Sequence, residues 1–314
     1  MLLIRRLALA AGVLAAASSV SAQARYGDDP SAGDTFVHDG VRLYYEIYGA
    51  GEPLLLVHGN GGSIADWRAQ IDFFRKHYRV IAMDSRSQGR SGNGPDSLSY
   101  EQMSDDLAAL LDHVRVGPAY VLGWSDGGIE ALLLGIRHPG KVKKIASMAA
   151  NISPADSSLY PEVTALVRSG LEAAPPGSRE HELTRLVLEQ PHIDPASLAS
   201  ITAPTLIMAG DHDVILDQHT LEIFHHIPNA QLAIFPDATH MIPYDDPARF
   251  NAAVERFFRT PFVQRDRVKD VLRSMERLRA PGESPSQGAR RVPALEPLHG
   301  ATDQSRRTIQ SPTR

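Results

Sequence analysis

No cysteine occurs among the 314 residues. That absence removes disulfides, thiolate metal sites, a cysteine nucleophile and a lipid anchor on cysteine. Long apolar runs are lacking as well. The run Leu7 to Ala17 is too short to span a bilayer. Arg5 and Arg6 precede it, and Val20-Ser21-Ala22 places small residues where a signal peptidase cuts, so residues 1–22 read as an export signal that is removed. No stable membrane insertion is then expected of the mature chain; an uncleaved amphipathic anchor is the alternative. The paired arginines leave twin-arginine export open beside the general route, although Ile4 and Leu7 fit that signal poorly. Export without disulfides points to a bacterial periplasm or the medium.

Nucleotide-binding signatures are also missing. Neither Gly-Lys-Ser/Thr nor GxGxxG follows the glycine-rich stretch His58 to Gly62, which leaves a phosphate cradle there without its usual residues. The formal charge of −5 hides an asymmetry. Residues 263–314 carry 11 Lys and Arg against 6 Asp and Glu, which leaves −10 on residues 1–262. An acidic body argues against nucleic acid as a partner and mildly favours cationic ligands; a small-molecule substrate is the expected partner. No internal repeat is present.

What the chain does contain is alternation. Residues 25–34, polar with Gly27, Pro30 and Gly33, read as a linker. Thr35 to His38 and Val41 to Tyr48 flank Asp39-Gly40, a two-residue hairpin turn. Short apolar runs of strand length follow at 54–57, 80–83, 119–122, 142–148, 205–209 and 232–235, with Lys143 and Lys144 interrupting one of them. Between them the spacing predicts helices around 63–76 and after the capping box formed by Ser99 and Gln102, where Met103, Leu107, Leu110 and Val114 share a face. Ile129, Leu132, Leu133 and Ile136 mark another, and Asp246 with Pro247 opens a last one whose Phe250, Val254 and Phe257 face inward. Eight strands in this order make a mostly parallel sheet with helices on both faces, in a domain over 35–262. The alternation breaks near 151–200, where two helical stretches without a strand read as a small cap. After Phe262, residues 264–279 have Val268, Val271, Leu272 and Met275 at helical spacing, and the rest reads as a basic, largely disordered tail that is solvated or touches an anionic surface.

The chemistry centres on Gly123-Trp124-Ser125-Asp126-Gly127, a GxSxG that ends a strand and opens a helix. Such a turn holds a serine in a strained conformation with Oγ exposed at the carboxyl edge of the sheet. A serine hydroxyl needs a base within hydrogen-bond reach, and the base needs an acceptor that sets its tautomer. Asp213 and His240 follow the strands at 205–209 and 232–235 and supply the order serine, acid, histidine. Asp211 is the rival acid, and His212, His225 and His226 are the rival bases. The oxyanion donors expected are the backbone N–H groups of Asn60 and Asp126. The Asp126 carboxylate either holds a substrate ammonium or favours the helix N-terminus.

These residues resemble the α/β-hydrolase superfamily over roughly 36–258. The resemblance rests on GxSxG, on His58-Gly59 after a strand, on Asp84 to Ser91, which is similar to a recurrent Asp-x-Arg-Gly-x-Gly-x-Ser, on Gly210-x-x-Asp213, and on His240 before the last helix. The Gly-Trp-Ser-Asp-Gly-Gly form looks like small capped serine esterases, including valacyclovir-hydrolase-like enzymes. The resemblance implies hydrolysis of an ester or related acyl bond by Ser125, His240 and Asp213 with no metal and no cofactor. Amide, lactone and carbon–carbon cleavage stay open on the same residues, as does a non-catalytic binding protein. Ser87 departs from the pattern, where a glycine is usual.

Overall fold

The computed structural model describes residues 25–94 and 97–278. The expected export signal and the residues beyond 278 lie outside the described residues. The chain divides into two compact units after Phe262.

In the first unit eight strands form one sheet in the order β1-β2-β4-β3-β5-β6-β7-β8. They are β1 Gly33–His38, β2 Val41–Tyr48, β3 Glu52–Val57, β4 Tyr78–Met83, β5 Ala119–Trp124, β6 Val142–Met148, β7 Thr205–His212 and β8 Ala230–Thr239. Antiparallel pairing is confined to β1 with β2 and β2 with β4. All the other pairings are parallel. The helices of this unit are α1 Arg68–Phe74, α2 Tyr100–His113, α3 Asp126–Arg137, α4 Ala155–Ser158, α5 Pro161–Ala173, α6 Arg179–Glu189, α7 Asp217–His226, α8 Ile242–Asp245 and α9 Pro247–Arg259. The second unit contributes α10 Arg267–Leu278, with Val268, Val271, Leu272 and Met275 at helical spacing. Among the described residues no helix is long and apolar enough to cross a membrane.

Strand alternation divides the core in two, because successive side chains leave opposite faces of the sheet. Leu55, Val57, Ile81, Met83 and Val121 meet Met103 and Leu107 of α2, Ile129 and Leu132 of α3 and Ile223 of α7. Leu54, Leu56, Val80, Ala82 and Leu122 meet Ile71 and Phe74 of α1 and Phe250 and Val254 of α9. Helix starts follow local chemistry: the Ser99 side chain accepts from Gln102 N, and the Asp246 side chain from Arg249 N ahead of Pro247.

Three features go beyond the sequence reading or differ from it. Residues 25–34 are no free linker, for Tyr26 is buried and Gly33 and Asp34 belong to β1. The reason is Glu46, wholly buried on β2, whose carboxylate accepts from the backbone N–H of Gly27 and Asp29 and from the hydroxyls of Tyr44 and Tyr48. A buried charge needs such donors, and this segment brings two of them. Lys144 is buried on β6 because its ammonium reaches the carbonyls of Phe257, Phe258 and Thr260 at the end of α9, where the helix dipole is negative. β7 and β8 also run past the expected ends, so Gly210, Asp211 and His212 are strand residues.

Between β6 and β7 the chain forms α4, α5 and α6 with no strand. The end of α4 is tied to the loop after β7 through a bridge between Leu159 and Ile215 and through Leu216 N donating to Ser158 O.

The junction of β5 with α3 leaves no room for side chains. A Cβ on Gly127 would overlap the Val57 carbonyl, and one on Gly123 would overlap the Gly127 carbonyl, whereas Gly140 has open space around it. Gly127→Ala is therefore expected to cost about 3 kcal/mol or more and Gly140→Ala less than about 0.5, as read from urea unfolding midpoints. Equal effects would contradict this account of the junction.

Candidate active site

Ser125 stands between β5 and α3 with φ 57° and ψ −121°, a conformation that costs a residue bearing Cβ on the order of 1–3 kcal/mol. The surroundings hold it there. Its N–H donates to Met148 O at 2.8 Å, and its own carbonyl accepts from Gly128 N and Ile129 N. Gly59 packs so closely that a Cβ on it would lie 3.2 Å from Ser125 Cβ, so the loop after β3 lies against the serine.

Two other elements converge at the same edge of the sheet. His240, after β8, places Nδ1 2.7 Å from Asp213 Oδ1. A carboxylate only accepts, so this contact puts a proton on Nδ1; in the neutral ring the lone pair is then on Nε2. Asp213 is held in turn by Gly210 N and Ile215 N, each at 3.2 Å, and its side chain is buried. The indole N–H of Trp124 donates to the carbonyl of His240 at 2.9 Å, which ties the histidine loop to the residue before Ser125. Trp124 is the x of GxSx; nothing in that pattern announces the bond.

The rival acid and bases go elsewhere. Asp211 accepts from Asp237 N and Ala238 N, bracing the end of β8, and the Ala238 N–H foremost, with His212 beside it, draws its pKa down to about 2. His212 is exposed and paired with Asp211, and His225 and His226 are on α7. His58 is used up as well: Nε2 accepts from Ser85 N, and Nδ1 donates to Gly59 O.

The expected oxyanion donors can be placed directly. Among the described residues the backbone N–H groups of Asn60 and Asp126 have no acceptor; Asp126 is the first residue of α3, where no intrahelical partner exists. Neighbouring N–H groups are engaged. Gly61 N donates to Gln88 Oε1 at 2.7 Å and Ile64 N to Asp84 Oδ1 at 2.8 Å, while Asp84 Oδ2 accepts from Arg90 N. The Asp84 to Ser91 segment is thus the brace of the Asn60 loop. Ser87 takes φ 64°, the left-handed conformation that glycine adopts without strain.

The Asp126 side chain is 4% exposed and accepts from Asn60 Nδ2 at 2.8 Å, next to the first turn of α3. Burial pushes its pKa up, and the Asn60 amide, followed by the Tyr100 hydroxyl, counters that. Four residues on lies Glu130, wholly buried, with Ser85 Oγ 3.3 Å away. Burial above all, then the charges of Asp126 and Asp106, hold its pKa well above the usual carboxylate range. Arg86 forms a two-pronged pair with Asp106. Among the described residues no cluster of histidines and carboxylates suited to a metal is present.

A model of the alpha/beta hydrolase fold matches residues 52–168. With the sheet order and the turn at Ser125, that decides the fold. The chain has the alpha/beta hydrolase fold. This hydrolase is 39% identical over 111 residues to a putative carbamate hydrolase, RutD, of Azorhizobium caulinodans, a match taking in 35% of this chain and 42% of that protein. It is 26% identical over 244 residues to the mouse (Mus musculus) serine hydrolase BPHL, covering 70% of this chain and 84% of that one. In structure it matches an enol-lactonase from Burkholderia xenovorans with a TM-score of 0.64 at 19% identity, over 72% of this chain and all of the other, a likeness of fold.

Glu130 gives the hydrolase a pH signature. A carboxyl group with a folded pKa above its unfolded value binds a proton in the native state that the unfolded chain releases, so stability falls as pH rises from about 4.5 toward the folded pKa. Glu130→Gln, which mimics the neutral acid, is expected to match the wild type within about 1 kcal/mol at pH 5 and to lose less stability on going to pH 8. Urea unfolding at the two pH values measures this, and parallel losses would contradict the assignment.

Proposed function

We propose that this hydrolase cleaves a carboxylic ester or related acyl bond through an acyl-enzyme on Ser125. The observation that carries the reading is the 2.7 Å contact of His240 Nδ1 with Asp213, beside a serine held at positive φ. His240 Nε2 takes the Ser125 proton as Oγ attacks the substrate carbonyl carbon. The tetrahedral oxyanion then receives the N–H groups of Asn60 and Asp126, each worth on the order of 3 kcal/mol in the transition state. His240 returns the proton to the leaving alcohol as the carbon–oxygen bond breaks. A water, deprotonated by the same imidazole, attacks the acyl group, and Ser125 leaves with its proton restored. Asp213 keeps the imidazole oriented and stabilises its cationic form.

A carbonyl bearing a heteroatom leaving group is common to esters, lactones and carbamates, and the resemblance to a protein named as a carbamate hydrolase supports this breadth. Esters are the first choice because an alkoxide leaves more readily than an amide nitrogen, and nothing beyond His240 is needed to protonate it. Amide, lactone and carbon–carbon cleavage are the competing chemistries on the same residues. The apolar run at residues 7–17 makes the periplasm or the medium the proposed place of action.

A panel of p-nitrophenyl esters of rising acyl length, assayed beside lactones, aminoacyl esters and aminoacyl amides, tests the proposal. Turnover of at least one ester series is expected, with kcat falling on the order of 10⁵-fold in Ser125→Ala. Ester turnover that survives Ser125→Ala, or activity confined to amides, contradicts it.

A further inference from the structure

We propose that the side chain of Asn60 is a clasp that couples the position of α6 to the oxyanion loop. The proposal deepens the reading above, since it concerns the same donor loop. Asn60 Nδ2 carries two hydrogens, and two acceptors from separate parts of the fold meet it: Asp126 Oδ2 at 2.8 Å and the carbonyl of Leu183, on α6, at 3.2 Å. Both acceptors are on buried residues, Asp126 at 4% and Leu183 at 5% exposed. Only a group with two donors on one atom can bridge a carboxylate and a carbonyl across so short a gap. A serine has one hydrogen, an aspartate at neutral pH has none, and a leucine has none.

The bridge falls at the one position of the loop that lacks another tie. On one side Gly59 is pressed against Ser125, and on the other Gly61 N is held by Gln88 and Ile64 N by Asp84. Residue 60 is positioned through its side chain alone, while its backbone N–H is left without a protein acceptor. When α6 moves aside to admit a substrate, the Leu183 bond breaks and Asn60 keeps only Asp126; when α6 returns, both bonds form and the N–H is set. Asn60 is in this sense a positioning residue, and closure of the cap over a substrate is read at the donor that stabilises the oxyanion. Coupling of this kind typically amounts to a factor of about 5–150. A substrate large enough to touch α6 should feel it more than a small one.

Asn60→Ala tests the clasp because it keeps the backbone N–H and removes only the bridge. Asn60→Asp serves as a second variant of nearly equal size without the donors. Both are compared with wild type on p-nitrophenyl octanoate and p-nitrophenyl acetate, and by hydrogen exchange over residues 178–190. The clasp predicts that kcat for octanoate falls about tenfold in either variant with KM within about twofold, that acetate loses no more than about threefold, and that exchange over 178–190 speeds up. Equal loss on the two esters, or exchange over 178–190 unchanged from wild type, overturns it. The exchange measurement needs no turnover, so it decides the clasp even if Ser125 proves not to be the nucleophile.

Discussion

Backbone contact between β3, β5 and α3 is the constraint from which the site follows. Gly127 brings the first turn of α3 against the carbonyl of Val57, and Gly123 brings β5 against Gly127 itself. No side chain fits in either gap. With β3 and β5 adjacent and parallel, their following residues emerge side by side, which is why the loop at 58–62 leans on Ser125. The helix that starts there leaves an N–H of Asp126 open, and the loop leaves one at Asn60. Strain at Ser125 is the cost of this crowding, and the two cores on either face of the sheet over-determine it.

Around that junction the interior is unusually rich in carboxyl groups, and each is handled differently. Glu46 is surrounded by four donors, Asp84 by backbone N–H groups, and Asp106 by Arg86 and His38. Asp126 is held by the Asn60 amide, and burial and acidic neighbours hold the Glu130 pKa above the usual carboxylate range. Buried polar groups with partners rigidify a fold, whereas without partners they destabilise it. Asp84 and Asp126 find partners after β3, at Ile64 N and Asn60 Nδ2, so these two acids anchor the loop that bears the candidate oxyanion donor.

Much of this was legible in the sequence. Alternation of apolar runs and helical faces is a local property, and so are the hairpin at Asp39-Gly40, the cap at Ser99 and the stop and start at Asp246-Pro247. The same holds for the GxSxG turn, because the glycines report a backbone demand that any such turn makes. What could not be read are pairings set by chain segments far apart. The segment around Tyr26 is held because Gly27 and Asp29 donate to Glu46, and Lys144 is buried because the end of α9 offers carbonyls; neither partner is near in sequence. Likewise the Asp126 carboxylate was free to face outward or inward until Asn60, 66 residues away, claimed it. Trp124 and Gln88 escaped notice for the same reason: their bonds to His240 and Gly61 are tertiary. The choice between Asp211 and Asp213 rested on how far β7 extends, and strand ends are where sequence patterns carry least information.

All of the proposed chemistry rests on the activation of one hydroxyl, that of Ser125. Reacting the full-length protein with a fluorophosphonate, followed by mass spectrometry of the intact chain and its peptides, measures that activation without any knowledge of the substrate. The account predicts a single adduct, mapped to Ser125, whose rate of formation collapses in His240→Ala. Full retention of hydrolysis with no adduct at Ser125, or labelling that proceeds equally fast without His240, would contradict it.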